Sequence, residues 1–253
     1  MKRLEGRRAI VTGAAGGIGS LVAAGLRAQG AHVTGIDRAA CDMCDESIVG
    51  DLSTPAGLAL LSQDLAARRV DLLLNIAGVQ YFGPADRQSA ESIWLGYAVN
   101  LIAPVTLTRA VLPQMRARGD GQIVNIGSVL GAINYPYFAA YSSSKAGLKG
   151  FSEGLRRELH GLGIAVTYVA PRAVRTAFNN ADVNRFMAMS GMTADDPQMV
   201  ARRIVEAAVD RRPELSIGFK ERLFTRLNAL FPRLIDAGLS AQTVKARSLF
   251  TMP

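Results

Sequence analysis

The sequence predicts an α/β chain, a single domain in which a doubly wound parallel sheet carries helices on both faces. Three observations predict it. Short apolar runs alternate with longer stretches of helical periodicity. The central runs, "VDLLLNIAG" and "GQIVNIGS", are apolar almost throughout, as strands covered on both faces must be. The first run ends in a glycine-rich turn that leads directly into a helical pattern.

The elements follow in order. "RRAIVTG" reads as a short buried strand, followed by a helix from about Ile18 to Gln29 that Gly30 stops. "AHVTGID" and "SIVGD" are the second and third strands. Helical spacing then runs over Thr54–Arg69, and "VDLLLNIAG" is the fourth strand. A long helix around Ser89–Arg118 precedes the fifth strand, "GQIVNIGS". A helix over Tyr141–His160 precedes the sixth, "GIAVTYVAP". Strand-to-strand crossovers are expected to be right-handed, and ligands to bind beyond the carboxyl ends of the strands.

The 253 residues, 49% of them hydrophobic, suffice for one large core. No repeat or low-complexity linker interrupts them. The basic N-terminus lacks the apolar run of a signal peptide, and no segment is read as having the roughly 18 uncharged apolar residues of a spanning helix. These readings predict a cytoplasmic protein. The net charge is +8, of which residues 201–253 supply +5: ten Lys/Arg against five Asp/Glu. The remaining arginines are scattered with few aromatics between them, which argues against nucleic acid as a partner. Cys41 and Cys44 form a C-x-x-C pair, but the two histidines, His32 and His160, lie far apart in sequence. With no second cysteine pair, no metal site is expected, and the two cysteines read as reduced thiols in a connecting segment.

Chemistry is sought at the strand ends. "TGAAGGIG", Thr12 to Gly19, carries Gly13, Gly16, Gly17 and Gly19. Glycines there allow a tight turn and a close approach to a pyrophosphate, which the following helix N-terminus attracts. Asp37 ends the second strand, 18 residues beyond Gly19. A carboxylate at that spacing accepts both ribose hydroxyls of an adenosine and repels a 2′-phosphate. Arg38 follows it and is able to tolerate that phosphate. Asp51 ends the third strand, "NIAG" (Asn75 to Gly78) the fourth, Ser128 the fifth and "APRAVRT" the sixth. Tyr141 and Lys145 stand one helical turn apart, so their tips can meet. A nearby ammonium favours the phenolate, and so is expected to bring the Tyr141 acidity toward working pH.

Taken in order, TGAAGGIG, NIAG, Asn100, Ser128 and Tyr141-x-x-x-Lys145 resemble the classical short-chain dehydrogenase/reductase family, with its Rossmann-type fold, over about residues 6–210. The resemblance implies a catalytic set of Asn100, Ser128, Tyr141 and Lys145. Ser128 would hold the substrate oxygen and Tyr141 would exchange the proton. Lys145 would hold the nicotinamide ribose, and Asn100 would support a water relay. It implies cofactor contacts from Gly13, Ala15, Gly17, Ile18, Gly19, Asp37, Arg38, Asp51, Leu52, Asn75, Ala77, Gly78, Tyr141, Lys145, Pro171, Val174 and Thr176. Ala15 stands where many NADP-preferring relatives carry a basic residue, so NAD(H) is the expected cofactor, with NADP(H) open as the alternative. A homodimer or homotetramer is expected by the same analogy.

Departures from the family pattern bear on the substrate. Arg172 replaces a family glycine after Pro171, which raises a question of backbone angle; an outward-pointing side chain is expected. A lid spans about residues 176–199 of a catalytic domain over 1–215. Phe178, Phe186, Met187, Met189 and Met192 make it apolar, and "LGAINYPYF", Tyr81 and Phe82 face the same side. The expected substrate is a hydrophobic ketone or secondary alcohol, lipid-like or acyl-chain in kind. The alternatives are a 3-oxoacyl-thioester reductase and a catalytically silent dinucleotide sensor. The extension over 216–253 is basic and amphipathic, with Leu223, Phe224, Leu227, Leu230, Phe231, Leu234 and Ile235 among Lys220, Arg222, Arg226 and Arg233. Pro232 is expected to kink it or to begin a new helix. Packing on its own core is the first expectation; a subunit contact, a wall of the substrate entrance and a peripheral membrane contact are the others.

Overall fold

The computed structural model describes residues 2–250, without the side chains of Phe219 and Lys220; residues 251–253 of the extension lie outside the described residues. Seven parallel strands form one sheet: β1 (Arg8–Thr12), β2 (His32–Asp37), β3 (Glu46–Val49), β4 (Leu72–Asn75), β5 (Gly121–Ile126), β6 (Ile164–Ala170) and β7 (Glu214–Ser216). Their order is β3-β2-β1-β4-β5-β6-β7. The order reverses between β1 and β4, so the crevice of this doubly wound sheet opens there. Every residue of β4 and β5 is buried, and apolar cores lie on both faces of the sheet. Helices α1 (Gly19–Ala28) and, later in the chain, Pro197–Val209 cover one face. The other is covered by α2 (Pro55–Ala67), by the chain from α3 (Ala90–Tyr97) to α4 (Ala103–Arg118), and by α5 (Ala139–Glu158). Thr54 caps α2 by accepting from Gly57 N, and Pro55 occupies its first turn, a standard helix start.

Three expectations are corrected. The long helix is not regular: residues Ala98–Ile102 form a π-helical turn between α3 and α4, with Asn100 inside it. The run Ala90–Arg118 also has the length and apolarity of a membrane span, with a mean hydropathy of 1.4 over 18 residues. It packs instead as a core helix, through Leu107, Val111 and Met115. Finally, β7 straddles the expected boundary at residues 215 and 216. Three residues of strand are too few to show periodicity, but their pairing with β6 places them in the sheet.

After β6, the segment expected to form a lid is helical: α6 (Ala181–Ser190) is capped by Asn180, whose Oδ1 accepts from Val183 N at 2.9 Å. Then α7 (Pro197–Val209) crosses the sheet, and α8 (Phe219–Leu230) and α9 (Pro232–Ser248) form the extension. Pro232 begins a new helix rather than kinking an old one. The extension divides. The end of α9 returns to the body, with Ala246 buried and Leu249 and Phe250 packed against the aromatic cluster around Tyr141. Core packing fails for α8, where no described side chain is fully buried.

Candidate active site

Beyond the carboxyl ends of the strands lies a cleft of about 1020 Å³. Its dinucleotide end is built mainly of backbone. Gly13 has a positive φ of 69°, and a Cβ there would lie 2.7 Å from the Cα of Ala77. A Cβ on Gly17 would come within 3.0 Å of Thr176. Thr12 braces the turn from beneath, its Oγ1 accepting from Ile76 N and Ala77 N at 3.1 and 3.2 Å. No side chain caps α1 and no acid stands in its first turn, so no carboxylate of that turn competes with an anion at the helix start.

Asp37, at the end of β2, accepts from Ala15 N at 3.0 Å and from Arg38 N at 2.6 Å. These bonds hold its carboxylate beside the glycine turn. Asp51 Oδ1 accepts from Ser53 N and Oγ at 2.8 and 2.7 Å. Those hydrogen bonds hold its pKa below the usual carboxylate range. This glycine cradle, uncapped helix start and pair of carboxylates fit a dinucleotide.

The inner end is buried and built of side chains. Tyr141, Lys145 and Ser128 all line it. Burial pushes the Tyr141 phenol up to about 12, against the opposing hydrogen bond of Ser128. Burial also pulls Lys145 down to about 8, and its Nζ donates to the Ile126 carbonyl at 3.0 Å. The expected tuning of Tyr141 by Lys145 is therefore corrected for this state: desolvation governs both groups, and it favours their neutral forms. Edge and tilted ring contacts with Phe138 and Phe178, at 6.4 and 6.2 Å, flank the Tyr141 ring.

All but two of the expected site residues line the cleft: Gly13, Ala15, Gly17, Ile18, Gly19, Asp37, Arg38, Asp51, Leu52, Ala77, Gly78, Ser128, Tyr141, Lys145, Pro171, Val174 and Thr176. Asn75 and Asn100 stand behind it. Asn75 is buried and donates to Asn125 Oδ1 at 2.8 Å, joining β4 to β5. Asn100 holds Val79 from both sides, accepting from its N at 2.9 Å and donating to its O at 2.8 Å. Its Nδ2 also donates to Ser144 Oγ at 3.0 Å. The Asn100 amide is thereby engaged in positioning the loop after β4.

Arg172 is the clearest correction. It does not point outward: Nε and Nη2 donate to the two oxygens of buried Asp195 at 2.9 and 2.6 Å, and Nη1 to Glu221 of α8 at 3.4 Å. Its φ is not positive, so the loss of the family glycine imposes no strain. Tyr168 is a site residue that sequence reading missed. Its hydroxyl lies 3.4 Å from Ser128 N and 3.5 Å from Ser128 O, beneath the loop. A tyrosine inside an apolar strand gives no local signal of such a role. Within the lid, Phe186 and Met187 are buried and line the cleft, Phe178 and Met192 line it while half-open to solvent, and Met189 lies elsewhere. Tyr81 bonds the Pro84 carbonyl instead of lining the cleft.

Residues 7–185 match the model of the short chain dehydrogenase family. A short chain dehydrogenase of Pseudocercospora fijiensis is 32% identical over 71% of this chain and 63% of its own length. The ketoacyl reductase HetN of Nostoc is 30% identical over 86% of this chain and 80% of its own. Among solved structures, a short-chain dehydrogenase from Streptomyces avermitilis superposes with a TM-score of 0.77 at 29% identity, covering 96% of this chain and 98% of that one. One from Sphingobium yanoikuyae, in complex with NADPH, gives 0.76 at 26% identity, covering 91% and 95%. A 4-hydroxyisoleucine dehydrogenase complexed with NADH gives 0.73 at 26%, covering 83% and 96%. Sequence and fold agree with the cleft: the chain belongs to the short chain dehydrogenase family and is an NAD(P)-dependent oxidoreductase of the CH–OH/C=O class.

Proposed function

We propose that the protein interconverts a ketone and a secondary alcohol on an apolar, acyl-chain or lipid-like substrate, with NAD(H) preferred over NADP(H). The observation that carries this reading is the inner end of the cleft, where the Ser128 and Tyr141 hydroxyls and the Lys145 ammonium meet a wall of Leu130, Phe138, Phe178, Phe186 and Met187.

The glycine turn and the start of α1 would hold the pyrophosphate. Asp37 would hold the adenosine ribose, Asp51 and Leu52 the adenine, Lys145 the nicotinamide ribose, and Val174 and Thr176 the carboxamide. A nicotinamide held there would supply or take up the hydride at the carbonyl carbon. Ser128 Oγ donates to the substrate oxygen and stabilises its developing charge. Tyr141 then gives that oxygen its proton, completing the alcohol, and in the reverse direction takes it back. The Lys145 ammonium steadies the phenolate left after transfer. A phenol kept neutral by burial holds its proton ready as the donor in reduction.

Preference for NAD(H) rests on Asp37, whose carboxylate would repel a 2′-phosphate on the adenosine ribose. The reading also comprises a homo-oligomer formed through α3 to α5, where Ile93, Trp94, Leu95 and Ile102 are exposed, and a cytoplasmic location. A 3-oxoacyl-thioester substrate is the second reading, favoured by the likeness to HetN. Steady-state oxidation of NADH against 2-alkanones and 3-oxoacyl thioesters of rising chain length tests both. Turnover that climbs with chain length is expected. Turnover of the thioesters alone would select the second reading. Tight dinucleotide binding without turnover in either direction would overturn both in favour of a dinucleotide sensor.

A further inference from the structure

Helix α8 turns mainly polar residues inward, with Leu227 half-buried beside them. Glu221, Thr225 and Asn228, spaced as one helical face, turn toward the body. Glu221 accepts from Arg172, and Asn228 Nδ2 donates to the Ala132 carbonyl at 2.9 Å. The opposite face and the turn into α9 carry Leu223, Phe224, Leu230, Phe231 and Leu234, which are between 50 and 71% exposed. A surface helix ordinarily places these residues the other way round. Five large apolar side chains left in water within twelve positions of sequence mark a face that has a partner.

The charge around that face identifies the partner. Arg222, Arg226 and Arg233 lie within residues 222–235, a stretch that contains no Asp or Glu. A second copy is a poor occupant. Isologous pairing of this patch would bring six arginines together with no carboxylate from the same stretch. An anionic lipid surface satisfies both features, since acyl chains take up the leucines and phenylalanines while headgroups meet the guanidinium groups.

The position of the helix adds a second argument. Glu221, in the first turn of α8, lines the cleft, and α9 returns to pack Phe250 5.3 Å from Phe82 in the aromatic cluster around Tyr141. We propose that the turn from α8 to α9 is a docking face for an anionic membrane surface, which sets the substrate end of the cleft beside the lipid. The observations that carry it are independent of which substrate is turned over.

Co-sedimentation of the full chain with vesicles tests it, using phosphatidylcholine alone and phosphatidylcholine mixed with phosphatidylglycerol. Binding is expected to rise several-fold with phosphatidylglycerol and to fall with added salt. Replacing Phe224, Leu230 and Phe231 together by serine should abolish it, while Arg226→Gln and Arg233→Gln should each weaken it about fivefold. Dinucleotide binding and thermal unfolding check that each variant folds, and Leu230→Asp alone, at the most exposed site, serves if the triple variant does not. Failure of the parent protein to bind either vesicle would overturn the proposal. So would binding that is indifferent to the serine or aspartate variants. Loss of self-association in those variants, without vesicle binding, would assign the face to a second copy.

Discussion

The two ends of the cleft are built by different means. The dinucleotide end uses backbone: four glycines, an uncapped helix start and the Thr12 brace, nearly all within eight consecutive residues. The substrate end uses side chains, and they arrive from distant parts of the chain. Phe82 contacts Phe138, Phe186 and Phe250 at 4.6, 5.2 and 5.3 Å between ring centres. A pyrophosphate is a constant ligand, so a short local solution serves it. An apolar substrate is recognised by shape, which packed rings from several elements provide. The electrostatics divide similarly. Asp37 stays partly in solvent, whereas Tyr141 and Lys145 are buried and shifted in opposite directions.

Four experiments would break or sharpen this division. The largest effect is expected at the inner end. Tyr141→Phe should lower kcat by about 10²–10⁴-fold while the dinucleotide dissociation constant, followed by NADH fluorescence, stays near that of the parent. Unchanged turnover would remove Tyr141 as the proton donor. Next comes Gly13→Ala, which forces a Cβ into a left-handed backbone position against Ala77. It should cost about 1–3 kcal/mol of stability and weaken dinucleotide binding, while leaving chain-length preference intact. A shifted preference would mean that the two ends are not separable.

Asp37→Asn should weaken NADH binding about tenfold, from the loss of a charge-assisted hydrogen bond, while NADPH binding holds or improves. Equal losses for both would return cofactor choice to Arg38. The smallest effect is one of pH. In kcat/KM for the dinucleotide, which reports the free enzyme, activity should fall as pH rises through about 8 and Lys145 loses its proton. Stability should move the other way. The folded Lys145 value, about 8, lies below the ordinary 10.5. Between them the unfolded chain binds more protons, and Lys145 adds stability as pH rises. The Tyr141 phenol, raised from 10.0 to about 12, reverses the trend above pH 10. Unfolding midpoints measured from pH 7 to 12 would separate the two groups. Activity and stability falling together below pH 10 would contradict the assignment of the lower value to Lys145.

Legibility in the sequence followed this division. The glycine turn, Asp37, Ser128, Tyr141 and Lys145 each stand at a strand end or one helical turn apart, positions that local periodicity predicts, and all line the cleft. Asn75 and Asn100 had the same motif support yet stand behind it. Whether an amide faces the cleft or the sheet depends on a residue across the fold: Asn125 for one, and Val79 with Ser144 for the other. Tyr168 was invisible because its partner, Ser128, lies 40 residues away in the loop beyond the neighbouring strand. Arg172 looked like a free surface arginine because Asp195 and Glu221 come from two later segments.

By itself, then, the sequence determined the order of six strands, the glycine cradle and the identity of the groups able to exchange a proton. All of these are set by short-range spacing, where periodicity and backbone sterics suffice. Tertiary structure decided which groups lose their water, and with it the opposed shifts of Tyr141 and Lys145. It decided that Arg172 closes a bridge to α8. It also decided that α8 turns its polar side inward, because amphipathic spacing defines two faces of a helix but not which of them meets the body.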